Sequence, residues 1–210
     1  MKRSRVIARP LSKKTEARAT LYRLLGVAFQ YPADLDWKLF SNSFQSLLAE
    51  AAGELDLDFS GELEALDRIW PHELDDRFLH EHTELFINSS HGVIFPLNES
   101  VYFGHDRLVN TERTLAVRNA YLKAGLDPTK HTDHLLPDHL SLELEFMALC
   151  LLKGYDIEAF FNTHIYSWQP SLMGKITASE YSGFYIQMAN ILGRFLEAEY
   201  LATNGAIGKT

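Results

Sequence analysis

Apolar residues recur along this chain at three- and four-residue spacing, the period of a helix that buries one face. Leu21, Leu24, Leu25, Ala28 and Phe29 form the first stripe, and Pro32 predicts its end at or before Tyr31. A second stripe runs through Phe40, Phe44, Leu47, Leu48 and Ala51, with Gly53 placed as its C-terminal cap. Leu63, Leu66, Ile69 and Trp70 predict a short third helix closed by Pro71, and Leu74, Phe78, His82, Leu85 and Phe86 a fourth. The period then breaks. Two turn-rich pieces, 88–92 and 96–100, surround the apolar Val93 to Phe95, and interior loops of this length are often functional.

Helical spacing resumes near Ser100, breaks near Asn110 and reaches Gly125. A polar linker, 127–133, separates the two halves of the chain. Beyond it Pro137 occupies a place where a first helical turn accepts proline. Leu140, Leu144, Met147, Ala148 and Leu151 form the buried stripe of that helix, and Gly154 ends it. Segments 156–165 and 170–176 predict two more helices. Thr177 and Glu180 have capping-box spacing before a last helix lined by Tyr181, Phe184, Met188, Ile191, Leu192 and Phe195. The pattern predicts an all-α fold: one helical-bundle domain of about nine or ten helices over residues 15–202. A basic tail (1–14) precedes it and a frayed end (203–210) follows.

Composition agrees with this reading and removes several functions. Apolar residues make up 46% of the 210, enough for a substantial core. The formal charge of −8 repels phosphate backbones, so no nucleic-acid partner is expected; the basic run from Lys2 to Arg18 reads as a solvated tail. An acidic surface suits a cationic partner such as a basic peptide. Cys150 is the sole cysteine and lies in an apolar helical run, where a thiol behaves as a small hydrophobe. No apolar run approaches the ~18 residues of a membrane span, and the first residues lack the apolar core of a secretory signal. The expectation is a cytoplasmic protein without stable membrane insertion.

Nine histidines in an acidic chain raise the question of a metal. His80 and His82 flank Glu81, His131 and His134 flank Asp133, and His139 and Glu143 share a helix face. None of these spacings is a strong ligand motif, and convergence of three or four donors is what a metal needs. A metal-dependent hydrolase built on His131, His134, Asp138, His139 and Glu143 is therefore the alternative reading; the first reading expects no metal, no cofactor and no catalytic residue. His80, His131 and His134 read as surface residues and His82 as half-buried. A nucleophile elbow and a glycine-rich phosphate loop are both absent.

Three features lack a packing explanation. Pro137-Asp138-His139 opens a helix, where the dipole favours Asp138 as an anion and disfavours a charged imidazole. Plain capping and ligand binding are both open for these residues. The segment Phe95 to Phe103 places aromatics and Glu99 in an irregular stretch. Phe161, His164 and Trp168 suggest a helix end with an aromatic wall, with His164 read as a satisfied core histidine.

These features occur together and in order with Tyr22-x-Leu24-Leu25, Phe29, Pro32, Thr83-Glu84-Leu85-Phe86, Pro96, Glu99-Ser100-Val101-Tyr102, Pro137-Asp138-His139-Leu140, Glu143-Leu144-x-Phe146-Met147 and Phe184-Tyr185. On these motifs, over roughly residues 18–198, the chain resembles the TorD/DmsD/NarJ-like redox-enzyme maturation chaperones, most of all the TorD and DmsD branches. The resemblance implies the family's all-helical fold and a cytoplasmic, non-enzymatic chaperone. Its partner would be the catalytic subunit of a molybdenum-cofactor oxidoreductase. Such chaperones bind the client's twin-arginine signal peptide and delay export until the cofactor is loaded. It further implies a client-binding surface of Pro96, Glu99, Ser100, Tyr102, Phe86, Pro137, Asp138, His139, Glu143 and Trp168. Asp138, Glu99 and Glu143 would face the arginines, while Tyr102, Phe86 and Trp168 would form an apolar wall. The acidic position four residues before the motif histidine is Leu135 here. A homodimer formed by helix exchange about the 127–133 hinge is also implied.

Overall fold

The computed structural model describes residues 10–70, 75–89, 92–103, 108–126, 134–179 and 183–204. Among them are nine helical segments and no strand. They are α1 (Lys13–Ala28), α2 (Trp37–Glu54), α3 (Ser60–Ile69), α4 (Asp76–His82), α5 (Glu112–Ala124), α6 (Leu140–Lys153), the single turn α7 (Glu158–Phe160), α8 (Gln169–Thr177) and α9 (Phe184–Asn204). Wider π turns extend α4 over Thr83–Ile87 and α7 over Phe161–Ile165. Residues 1–9 of the basic tail, the 127–133 hinge with His131, and the frayed end beyond Asn204 lie outside the described residues, while Lys13 and Lys14 of the expected tail already belong to α1.

Helix α6 is the centre. Ten of its fourteen residues are buried, from Leu140 to Leu151, which is the signature of a helix surrounded by others. Helix α1 lies against it, and Gly26 lets the two approach closely. A Cβ at Gly26 would stand 3.1 Å from the Ser141 carbonyl oxygen and 3.3 Å from Leu144 Cβ, so a larger residue would push the start of α6 away. At the far side α9 closes the bundle. Arg18 donates through Nε and Nη2 to both oxygens of Glu199 at 2.7 and 2.8 Å, and the Tyr22 hydroxyl donates to Glu199 at 3.1 Å.

Four local expectations are corrected. Gly53 does not cap α2; the helix continues to Glu54 and closes on Leu55. Thr177 does not open the last helix but ends α8, where its hydroxyl donates to the Gly174 carbonyl. The last helix begins at Phe184, after Gly183 at φ 105°, and Glu180 and Tyr181 lie outside the described residues. Pro137 and Asp138 are not in α6, because His139 is its N-cap. His82 is nearly buried, not half-buried. The side chain of His80 is exposed, as its spacing suggested.

Candidate functional site

The irregular segment before Phe103 and the start of α6 are joined edge to edge. Glu99 N–H donates to the Asp138 carbonyl at 2.9 Å, and Leu140 N–H donates to the Leu97 carbonyl at 2.8 Å. Asp138 itself is fully buried. Its Oδ2 accepts the Ser100 N–H at 2.9 Å, and Asn98 Nδ2 lies 3.5 Å from Oδ1. One carboxylate thus folds the tight turn Glu99–Tyr102 against the helix start. The turn in turn carries Glu99 inward.

Glu99 has no exposed surface and meets three side chains. Arg113, from the first turn of α5, forms an ion pair with its Oε1. His164 Nδ1 lies 3.0 Å from Oε2. Glu143, from α6, supplies the third contact. Burial, then the charges of Glu99 and Asp138, hold the Glu143 carboxyl well above the usual carboxylate range. The shift favours the protonated acid, which stands against Glu99. Its Oε2 accepts from Trp168 Nε1 at 3.1 Å and sits 3.4 Å from Gln169 Nε2. Trp168 Nε1 also donates to the His164 carbonyl at 2.7 Å. A raised Glu143 pKa lowers the cost of placing two carboxyl groups in one dry space.

His139 is held by local geometry. Its Nδ1 accepts the Ser141 N–H at 3.3 Å and lies 2.7 Å from the Ser141 hydroxyl, so the ring acts as a helix cap. Burial, with His82 and His134 adding positive potential, lowers its pKa to about 3. Burial likewise lowers His82 to about 4. These rings, with Phe86 and Leu135, line a cavity of about 180 Å³.

The anticipated residues thus fall into two places. Glu99, Ser100, Asp138, Glu143 and Trp168 form one buried cluster, and Tyr102 packs on Trp168 with ring centroids 5.0 Å apart. The Tyr102 hydroxyl closes the turn by donating to the Pro96 carbonyl at 2.9 Å. Pro137 is tied to α5 through its carbonyl, which accepts the Tyr121 hydroxyl at 2.8 Å. Phe86 stands apart, packed on Phe29, His82 and Tyr185. Arg113 and Gln169 were not anticipated. Arg113 reads like any surface arginine of a helix start, and no spacing in the sequence links it to Glu99.

The hydrolase alternative is not supported. Among the described residues no group of three His, Cys, Asp or Glu could hold a metal ion. The proposed ligands are committed elsewhere: His134 to Asp34 at 3.3 Å, Asp138 to Ser100, Glu143 to Trp168. Cys150 is buried and its thiol is pushed up to about 11, so it is no nucleophile.

Beside the cluster runs a groove of about 450 Å³ between α5, α6 and α7. Phe146, Cys150, Tyr155 and Phe160 give it apolar walls, and His164 and Thr163 line it too. His164 is therefore shared: one edge faces the groove and Nδ1 faces Glu99.

Residues 48–173, which include the whole cluster, match the family model described as nitrate reductase delta subunit. The chain belongs to that family, whose NarJ/TorD-like members are redox-enzyme maturation chaperones and not catalysts. The fold is also that of a protein from Archaeoglobus fulgidus described as a redox enzyme maturation protein, with a TM-score of 0.57 at 21% identity. That likeness covers 93% of this chain and 99% of the other. No curated protein matches the sequence. Among the described residues no helix is long and apolar enough to cross a membrane.

Proposed function

We propose that this redox-enzyme maturation chaperone acts in the cytoplasm on the catalytic subunit of a molybdenum-cofactor oxidoreductase, and that it binds the subunit's twin-arginine signal peptide. The observation that carries the reading is the junction at His164, where a buried carboxylate cluster meets an apolar groove. A twin-arginine signal has the same two parts, guanidinium groups followed by an apolar stretch. Carboxylates recognise the first through paired hydrogen bonds, and a groove of aromatic and aliphatic side chains accepts the second. The net charge of −8 favours encounter with such a peptide.

In this reading Glu99 is the carboxylate that meets an arginine, and Asp138 positions it by holding the Glu99–Tyr102 turn. Tyr102 and Trp168 support the turn from beneath. Isothermal titration with a peptide of two consecutive arginines and an apolar stretch tests this. Asp138→Ala should weaken binding about tenfold, the ~1.4 kcal/mol of one charge-assisted hydrogen bond. Unchanged affinity would remove Asp138 from the site. The reading extends to a homodimer in which the segment after 127–133 packs on the other chain; sedimentation giving monomer at every concentration would remove that part.

A further inference from the structure

The Glu99 carboxylate already holds a guanidinium, and it is the chain's own. Arg113 stands in the first turn of α5, where the helix dipole disfavours a cation. Its Nη2 pairs with Glu99, donates to the Thr163 carbonyl at 2.8 Å and lies 3.5 Å from Ser167 Oγ. The guanidinium carbon sits 3.9 Å from the centre of the Phe103 ring. Nε is buried and has no partner. One nitrogen thus meets three acceptors while Nε, one arm of the side-on fork that fits a carboxylate, is unused.

Arg18 supplies the contrast. Its Nε and Nη2 grip both oxygens of Glu199, the geometry of a permanent tie. The Arg113 pair lacks the Nε half of that grip, although Glu99 is the more deeply buried carboxylate. The arginine side chain is also 28% exposed and that of Glu99 is 0%, so Arg113 forms the solvent-side cover of Glu99. Thr163, which accepts from Arg113, lines the apolar groove. Arg113 is thus tied through Thr163, and Glu99 through His164, to residues that line the groove.

We propose that Arg113 is a displaceable internal stand-in, which fills the guanidinium site of Glu99 in the free chaperone and leaves it when an arginine of the client peptide enters. This rests on the peptide-binding reading above and adds a mechanism to it. The buried carboxylate is never left unpaired, because one guanidinium replaces another. Lysine replaces arginine poorly, since an ammonium cannot offer the planar fork. Release of Arg113 frees the first turn of α5 and reports occupancy at the surface.

The exchange can be tested without a client. Arg113→Ala should melt lower than wild type, and ethylguanidinium chloride should raise its melting temperature by several degrees while wild type and an ethylammonium control barely move. Equal responses of the two proteins, or to the two cations, would overturn the proposal. Should Arg113→Ala fail to fold, Arg113→Lys is measured by the same criterion. In titrations with the twin-arginine peptide, Arg113→Lys should bind about tenfold tighter than wild type, because an ammonium cannot hold Glu99, the Thr163 carbonyl and the Phe103 ring face together and so competes less well; equal or weaker binding counts against displacement. A wild type that binds no such peptide would remove the functional reading, and the ethylguanidinium result would still decide whether Glu99 exchanges its cation.

Discussion

Around Phe184 the interior is made of rings; around Glu99 it is made of hydrogen-bonding groups, and both places are equally closed to water. Phe184 touches Phe44, Trp70, Phe78 and Tyr185 at centroid distances of 5.1 to 6.4 Å. Glu99, Asp138 and Glu143 are buried as deeply but need Arg113, His164, Ser100 and Trp168 to be tolerated. The first region gains free energy from burial. The second roughly breaks even at best, because desolvating charges offsets their attraction. A chain that needed only stability would fill the second region with leucine. Its polar content is what the arginine recognition proposed above requires.

The comparison breaks most visibly at Phe184. Phe184→Ala should cost about 3–5 kcal/mol in urea unfolding, the loss of a large ring from a packed core. A loss under 1 kcal/mol would mean that the ring cluster is not the stabilising half. Glu99→Ala should cost about 3 kcal/mol, near the lower edge for breaking a buried pair, because Arg113 can swing to water while His164 cannot. Its signature is different: the Glu99→Ala, Arg113→Ala double variant should be no less stable than Glu99→Ala alone. If the double variant is worse, the charges are structural in their own right.

A smaller effect appears with pH. His139 and His82 stay neutral in the folded chain down to about 3 and about 4, whereas the unfolded chain takes up protons near pH 6.5. The unfolded state binds more protons between those limits, so stability falls as pH drops from 6.5 toward 4. His139→Asn keeps a capping side chain without a titrating ring. It should match wild type at pH 7 to within about 1 kcal/mol and lose less on going to pH 5. Denaturant midpoints at the two pH values decide this, and an unchanged slope would exonerate His139.

How much of this was legible beforehand follows from which contacts are local. Apolar spacing located the helices because i, i+3 and i+4 neighbours share a face; Leu140 to Leu151 and Phe184 to Phe195 needed nothing more. Helix ends were harder. Thr177 and Glu180 satisfy a capping pattern, yet Thr177 is used by the preceding helix, and sequence cannot tell which of two adjacent helices owns a shared residue. Pro137 suited a first turn, but Leu97 and Asn98 pair with the chain there and delay α6 until Leu140. The motif resemblance named Glu99, Asp138 and Glu143 without showing that they meet. Arg113 stayed invisible because its partners, Glu99 and Thr163, are 14 and 50 residues away.

The mildest change is also the sharpest test of the difference between the two interiors. Burial and the charges of Glu99 and Asp138 raise the Glu143 pKa in the folded chain, whereas in the unfolded chain the proton is lost above about pH 4.5. The folded state therefore holds the extra proton, and this contribution to stability declines as pH rises above that value. Glutamine copies the neutral acid: its amide can donate to Glu99, and its carbonyl can accept from Trp168. Glu143→Gln should thus match wild type near pH 4.5 and gain about 1 kcal/mol by pH 8, on the scale of one hydrogen bond exchanged. Unfolding curves at both pH values check the crossover. A variant destabilised at every pH would mean that Glu143 is charged in the folded chain, and the cluster would then hold three anions against Arg113. A gain confined to high pH leaves two anions beside one removable cation, the arrangement that an arriving arginine can exploit.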